Sequence, residues 1–150
     1  MAPDLLYFLH LFAAGVLTGN ELGTWAVVHP AIQRLPFAEE VHAEQEVTRR
    51  YGRFMPALML ITIVSGFVLA EGVDGTPGSL ALAGSICFAA MLALTLVGNV
   101  PLNVRTLRFT ETDPPEQWRA ARPRWDRLHA TRIALDVAGF TCALFSLILR

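Results

Sequence analysis

Four long apolar stretches dominate the pattern of hydrophobic and polar positions along the chain. They cover residues 5–28, 54–70, 80–102 and 130–149. Each approaches the roughly 20 residues that a helix needs to cross a hydrocarbon layer of about 30 Å. None of them alternates as the strands of a membrane barrel do, so helices are the structures that can satisfy the backbone in lipid. The pattern predicts an all-α fold, a bundle of four transmembrane helices.

The polar segments between these stretches predict how the helices are extended and where they end. Residues 38–53 carry Glu and Arg at helical spacing and predict a cytoplasmic extension of helix two, kinked near Pro56. Helix one is expected to end near Pro30, because the residue before a proline disfavours helical geometry. Asp113-Pro114-Pro115-Glu116 is typical of a helix start and predicts a short amphipathic segment before helix four. We expect residues 1–150 to form a single domain.

Composition and charge agree with a membrane protein and suggest its orientation. The chain is 53% hydrophobic and 17% charged, and its net charge of -1 argues against a nucleic-acid partner. The first stretch lacks the basic flank of a cleavable signal. Arginines concentrate in the connections between helices one and two and between helices three and four, which predicts that both are cytoplasmic. We therefore expect a multi-pass protein of the bacterial cytoplasmic membrane with both termini outside.

Helix one carries polar side chains on one face and glycines on the other. His10, Glu21 and Trp25 fall within an arc of about 60° at 100° per residue. Ionisable residues inside a membrane are costly and usually indicate a functional cavity. The opposite face forms a double GxxxG pattern that favours close helix packing, within the bundle or in a homo-oligomer; its members are Gly15, Gly19 and Gly23.

Polar side chains from three helices are predicted to converge at the cytoplasmic side. Arg132 and Asp136 are spaced i,i+4 and can form an ion pair, whereas His29 and His42 are interpreted as interfacial or solvated. For any one residue a structural role is the simpler interpretation, but three helices with polar groups at one depth favour a functional pocket. The predicted pocket comprises Glu21, Asn99, Asn103, His129, Arg132 and Asp136.

The two cysteines give little functional information. Cys87 and Cys142 are each about 10 Å deep from the outer end of their helices at 1.5 Å per residue, so that a disulfide is conceivable. Two small buried residues are the simpler interpretation.

Several motifs resemble the anthrone oxygenase-like family of small four-helix membrane proteins. The most specific is Gly98-Asn-Val-Pro-Leu-Asn103, followed by Trp125 and by His129-Ala-Thr-Arg132. The similarity extends over essentially the whole chain; its further elements are Gly19-Asn-Glu21, His29-Pro30, Leu35-Pro36, Tyr51, Met55-Pro56, Pro114-Pro-Glu-Gln-Trp118 and Arg122-Pro-Arg-Trp125.

This resemblance implies oxidation of an anthrone to an anthraquinone by dioxygen, without an organic cofactor. Such a reaction needs a base to form the enolate, hydrogen-bond donors for the enolate oxygen and an apolar chamber. His129 or Glu21 would be the base, and Arg132, Asn103 and Asn99 the donors. The candidate catalytic residues are thus Glu21, His129, Arg132 and Asn103, and the candidate substrate-binding residues are Asn99, Asp136, Trp25 and His10.

Two alternatives stay open from the sequence. The oxygenase could use a metal held by Glu21, His129 and Asp136, although a metal-free reaction is favoured because no close two-histidine motif exists. The chain could instead be a non-catalytic binding, transport or accessory protein, in which the buried polar residues hold the bundle together. Its expected partners are the lipid bilayer and a lipophilic small molecule.

Overall fold

A computed structural model describes residues 2–110 and 112–150 of the chain. Within these ranges the fold is helical without strands, as predicted. The helices are α1 (Ala2–Gly23), α2 (His29–Ile32), α3 (Phe37–Glu71), α4 (Gly75–Leu94), α5 (Val100–Arg108) and α6 (Pro115–Ile148). A π-helical turn joins α1 to α2 (Thr24–Val28), and another joins α4 to α5 (Thr95–Asn99).

The described part of the chain contains four helical runs that are long and apolar enough to cross a membrane: Asp4–Ile32, Phe37–Glu71, Gly75–Arg108 and Pro115–Ile148. Large apolar side chains such as Phe12, Ile61 and Val97 are more than half exposed on the outside of the bundle. An apolar exterior of this kind is suited to lipid. The four-helix prediction is therefore confirmed, and the chain is a multi-pass membrane protein. Its orientation and its bacterial cytoplasmic membrane stay predictions.

The sequence predicted that the first helix ends near Pro30, but the helical run continues to Ile32. A π-helical turn just before the proline allows this continuation. In this turn the backbone N–H of His29 donates to the carbonyl of Thr24, five residues earlier. The same arrangement precedes Pro101, where the N–H of Val100 donates to Thr95. The wider turn gives the proline ring room and accommodates its missing donor.

The helices at the arginine-rich end of the bundle, where residues 33–36 and 109–114 connect them, are longer than a membrane requires. Helix α3 is continuous over 35 residues and includes Pro56, so the predicted extension of helix two is confirmed. The predicted amphipathic segment before helix four is not separate, since it forms the first turns of the 34-residue α6. Asp113 does not cap α6; its carboxylate accepts hydrogen bonds from the N–H and hydroxyl of Thr110.

The closest helix contacts involve other glycines than those of the double GxxxG pattern. A Cβ on Gly84 of α4 would lie 2.8 Å from the carbonyl oxygen of Gly139 in α6. Around Gly19 and Gly23 a Cβ would meet no heavy atom of the described chain within 4 Å. The backbones of α4 and α6 therefore approach closely at these glycines, and an oligomer formed through the stripe on α1 stays a prediction.

The bundle interior contains apolar and polar layers. Leu17, Met59, Phe88 and Met91 belong to a central apolar cluster to which all four helical runs contribute, the fourth through Phe140. The two cysteines, half-buried, form no disulfide. The apolar cluster separates two polar regions, one near His10 and one at the arginine-rich end.

We predict that Gly84→Ala lowers the stability of the bundle, because the new methyl group meets the backbone of α6. The expected loss is about 1–3 kcal/mol of unfolding free energy. Thermal unfolding of the protein in detergent measures it.

Gly19→Ala is the matched control, since it adds the same methyl group in open space and improves helix propensity equally. Equal melting temperatures for the two variants would contradict the close α4–α6 contact.

Candidate functional site

The arginine-rich half of the bundle contains a cavity to which all four helical runs contribute. The volume in which the centre of a water molecule fits is about 130 Å³. By the same measure a single water needs only about 10–15 Å³, so the cavity can hold a larger molecule. The polar and aromatic lining residues are Asn20, Glu21, Thr24, His29, Thr48, Tyr51, Thr95, Asn103, Trp125, His129 and Arg132. Gly52, Met55, Pro56, Met59, Val47 and Val100 supply the rest of the wall. The cavity wall thus combines polar and apolar residues.

A buried ion pair joins α1 to α6 in the wall of this cavity. The guanidinium of Arg132 donates a hydrogen bond to Oε1 of Glu21, and both side chains are at least 93% buried. His129 lies beside them, with its Nδ1 3.6 Å from Oε2 of Glu21. Three of the four predicted catalytic residues are therefore in one cluster.

The fourth predicted catalytic residue, Asn103, is joined to this cluster through Trp125. The indole N–H of Trp125 donates to Oδ1 of Asn103 over 2.9 Å. Its ring stacks on His129 at 4.6 Å between centroids, and the guanidinium of Arg122 lies 4.8 Å from its centre. Residues 122, 125, 129 and 132 share one face of α6 at helical spacing. Trp125 thereby offers an aromatic surface to the cavity.

His29 belongs to the site, contrary to its interpretation as interfacial or solvated. It is 4% exposed, and its Nδ1 lies 2.8 Å from Oε1 of Glu44. Nη1 of Arg122 donates to the same carboxylate oxygen over 2.6 Å. The His29 ring also contacts Trp125 edge-on at 4.5 Å between centroids. The carboxylate of Glu44, 3% exposed, thus links α2 and α6 to α3.

The π-helical turn in the first run explains why the sequence analysis did not place His29 in the site. It also explains the position of Trp25. In a regular helix the residues that follow Glu21 on the same face are 24, 25 and 28. The turn that begins at Thr24 inserts one extra residue, so that Thr24 and His29 line the cavity and Trp25 and Val28 do not. Trp25 is 44% exposed and does not line the cavity. Pro30, which follows the turn, was the feature of the sequence that could have indicated an irregular helix here.

The remaining predicted residues lie away from the cavity wall. Asn99 and Asp136 are fully buried, and their side-chain polar atoms have no hydrogen-bond partner in the described chain. The expected Arg132–Asp136 pair does not form, because Arg132 reaches across to Glu21 on α1. His10 is fully buried elsewhere, 3.1 Å from the hydroxyl of Ser65, and is packed against Phe88. The structure therefore does not bring Asn99, Asp136, Trp25 or His10 to the cavity surface.

The exposed residues of the cavity lining lie on α3 and α5 and mark its mouth. Gly52 and Pro56 on α3 and Val100 on α5 are exposed lining residues. A Cβ on Gly52 would meet no heavy atom within 4 Å. Phe54 and Val104, on the same two helices, are exposed as well. A molecule dissolved in the bilayer could enter between α3 and α5.

The metal alternative finds no preformed ligand set in the part of the chain that the structure describes. Among residues 2–110 and 112–150, no three His, Cys, Asp or Glu side chains are grouped so that they could hold a metal ion. One oxygen of Glu21 is already engaged by Arg132.

Comparison with known proteins agrees with the motifs in the sequence. The family model described as anthrone oxygenase matches residues 45–142, which include most of α3, all of α4 and α5, and α6 as far as Cys142. No curated protein and no solved structure gives a significant match to the chain. The match covers well over half of the 150 residues, and the chain therefore belongs to the anthrone oxygenase family.

Proposed function

We propose that this protein is a membrane-embedded oxygenase that oxidises an anthrone-like substrate with dioxygen in the cavity at its arginine-rich end. The observation that carries the proposal is the combination of a mouth with exposed Gly52, Pro56 and Val100 and a wall that contains buried ionisable groups. A cavity that served only packing would not need Glu21, His129 and Arg132 on its wall, since such groups are costly in a membrane. A lipophilic, enolisable ketone is the class of molecule that matches both the apolar and the ionisable groups of the wall.

The reaction requires a base, an anion-stabilising donor and oxygen. A base removes a proton from the CH2 group between the two aromatic rings, and the electron pair moves to the carbonyl oxygen as an enolate. The enolate then adds O2 at the same carbon and forms a hydroperoxide. Loss of the second C–H proton and cleavage of the O–O bond give a ketone and water. One CH2 group and one O2 become one C=O group and one H2O, so that dioxygen is the oxidant and no further reductant is consumed.

The cavity wall offers groups for each step. Arg132 presents a permanent positive charge next to the cavity and is suited to hold the enolate oxygen. Asn103 is a second polar group on the wall, although its Oδ1 accepts from Trp125. Trp125 lines the cavity, where its indole can contact the edge of a flat tricyclic substrate. Glu21 and His129, which the sequence analysis proposed as bases, lie on the same cavity wall as Arg132.

We propose that the enzyme needs no organic cofactor and no metal. The enolate itself supplies the electrons, and the ion pair with Arg132 leaves Glu21 poorly disposed to bind a cation. Elemental analysis of the active protein tests this point. A stoichiometric metal that is lost together with activity in a folded Glu21→Ala variant would contradict it.

We predict that Gly52→Phe slows oxidation by closing the mouth between α3 and α5. In proteoliposomes supplied with anthrone, kcat/KM for oxygen uptake should fall at least about tenfold, because a bulky ring then occupies the path to the cavity.

Gly19→Phe is the control, since Gly19 is also exposed and in open space but lies on α1 outside the cavity lining. Equal kcat/KM values for the two variants would contradict access through this mouth.

We predict that Arg132→Met destabilises the protein strongly, because it leaves the Glu21 carboxylate buried without its partner. The expected loss in unfolding free energy is about 3–5 kcal/mol. The double variant Glu21→Gln/Arg132→Met should recover much of this stability but should not oxidise anthrone. Arg50→Met, which removes an exposed partner of Glu46, should change stability by less than about 1 kcal/mol.

Melting temperatures and oxygen-uptake rates together distinguish the enzyme hypothesis from the hypothesis of a non-catalytic membrane protein. A stable double variant that oxidises anthrone at the wild-type rate would show that the ion pair is only structural. A wild-type protein that neither oxidises anthrone nor is stabilised by it would favour the non-catalytic alternative.

A further inference from the structure

We propose that His29, held by Glu44, is the base that removes the substrate proton. This assignment rests on the proposed function and gives a catalytic role to a residue that the sequence analysis interpreted as interfacial or solvated. Its basis is the accessibility of the nitrogen and oxygen atoms on the cavity wall.

Glu21 is poorly placed to act as the base. Its Oε1 accepts the hydrogen bond from Arg132, and its Oε2 is enclosed by protein atoms. A base must come within hydrogen-bond reach of the proton that it removes. One oxygen of Glu21 is therefore engaged by a guanidinium that stabilises its negative charge and weakens it as a base, and the other is not exposed to the cavity.

His129 is excluded by similar geometry. Its Nε2 lies 3.4 Å from the backbone carbonyl of Glu21, which can only accept, so this nitrogen is the protonated one. The other nitrogen, Nδ1, is enclosed and faces Oε2 of Glu21 without a hydrogen bond. The imidazole of His129 therefore presents no accessible acceptor nitrogen to the cavity.

His29 has the required arrangement. Glu44 accepts from Nδ1 over 2.8 Å, which places the proton of the neutral ring on Nδ1 and the lone pair on Nε2. No described residue hydrogen-bonds this Nε2, and it is not one of the enclosed unpartnered atoms, so it is reachable from the cavity that His29 lines. A carboxylate that fixes the tautomer and orientation of a catalytic histidine is a recurring device in enzymes.

Residues on the helices packed against His29 support its role as the base. Arg122 on α6 donates to Glu44 over 2.6 Å and helps to keep it ionised. Trp125 packs edge-on against the imidazole, and the His129 ring lies 5.9 Å away. Glu21 on α1 lines the same cavity as His29. Glu44 is thus a positioning residue, and a protonated His29 would have two carboxylates nearby.

The proton has a complete path in this scheme. His29 Nε2 takes it as the substrate C–H bond breaks, and the electron pair becomes the enolate. The same nitrogen returns the proton to the peroxide oxygen as the hydroperoxide forms. The neutral ring then removes the second C–H proton as the O–O bond breaks, and it gives this proton to the departing hydroxide, which leaves as water. No proton is gained or lost by the protein over one turnover.

Proton exchange without oxygen isolates the step assigned to His29. Anthrone incubated anaerobically in D2O with the purified protein exchanges its CH2 hydrogens, and mass spectrometry measures the rate above the buffer background. We expect His29→Gln to lower the enzymatic exchange rate at least about 100-fold, although its amide can still donate to Glu44. We expect imidazole to restore part of the exchange in His29→Ala, which a purely structural histidine would not permit.

Glu44 and its neighbour Glu46 provide the matched pair for the positioning role. Glu44→Gln should lower kcat for exchange about tenfold with little change in KM, because the tautomer is no longer fixed. Glu46→Gln should behave as wild type, since Glu46 is exposed and pairs only with Arg49 and Arg50 in the described chain. Melting temperatures confirm that each variant is folded.

Two results would overturn the assignment in distinguishable ways. If wild-type protein exchanges anthrone and folded His29→Gln exchanges it within about twofold, the base is another group and the proposed function stands. If wild-type protein neither exchanges nor oxidises anthrone, the proposed function fails and the assignment of His29 fails with it.

Discussion

The carboxylate of Glu21 and the guanidinium of Arg132 meet in the interior of four helices whose outer surfaces are apolar. Either charge alone would be costly at this depth, whereas together they hold α1 and α6 at a fixed register. The pair also determines the chemistry around it. It occupies Glu21, places a permanent positive charge on the cavity wall and brings His129 into contact with the backbone of α1. The remaining polar groups of the site are arranged around this constraint.

Two π-helical turns adapt the bundle to the same region. Each lies just before a proline in the arginine-rich half, and each contributes to the cavity wall, through Thr24 and Thr95. The first turn directs His29 toward α3, where it contacts Glu44, and Arg122 of α6 donates to the same carboxylate oxygen. Turns of this kind are frequent at functional sites because they change which side chains face inward. The site is therefore built by local departures from regular helix geometry as well as by the packing of the helices.

The sequence predicted the architecture well because hydrophobic length is sufficient to identify membrane helices. It also brought together Glu21, His129 and Arg132, since helical spacing and depth are nearly independent of packing detail. It did not predict the partner of Arg132, because the choice between Asp136 on the same helix and Glu21 on another depends on tertiary contacts. Trp25 and His29 were misplaced because a regular 100° rotation per residue does not apply across a π-helical turn.

The most direct test of the central claim, that this cavity binds a flat aromatic ketone, uses the fluorescence of Trp125. In a Trp25→Phe/Trp118→Phe background, Trp125 is the only tryptophan, and it lines the cavity. Anthraquinone titrated into nanodiscs should quench it saturably with one site per chain, and Gly52→Phe should abolish that saturable component while Gly19→Phe leaves it intact. Quenching that rises without saturation and is identical in both variants would contradict the account.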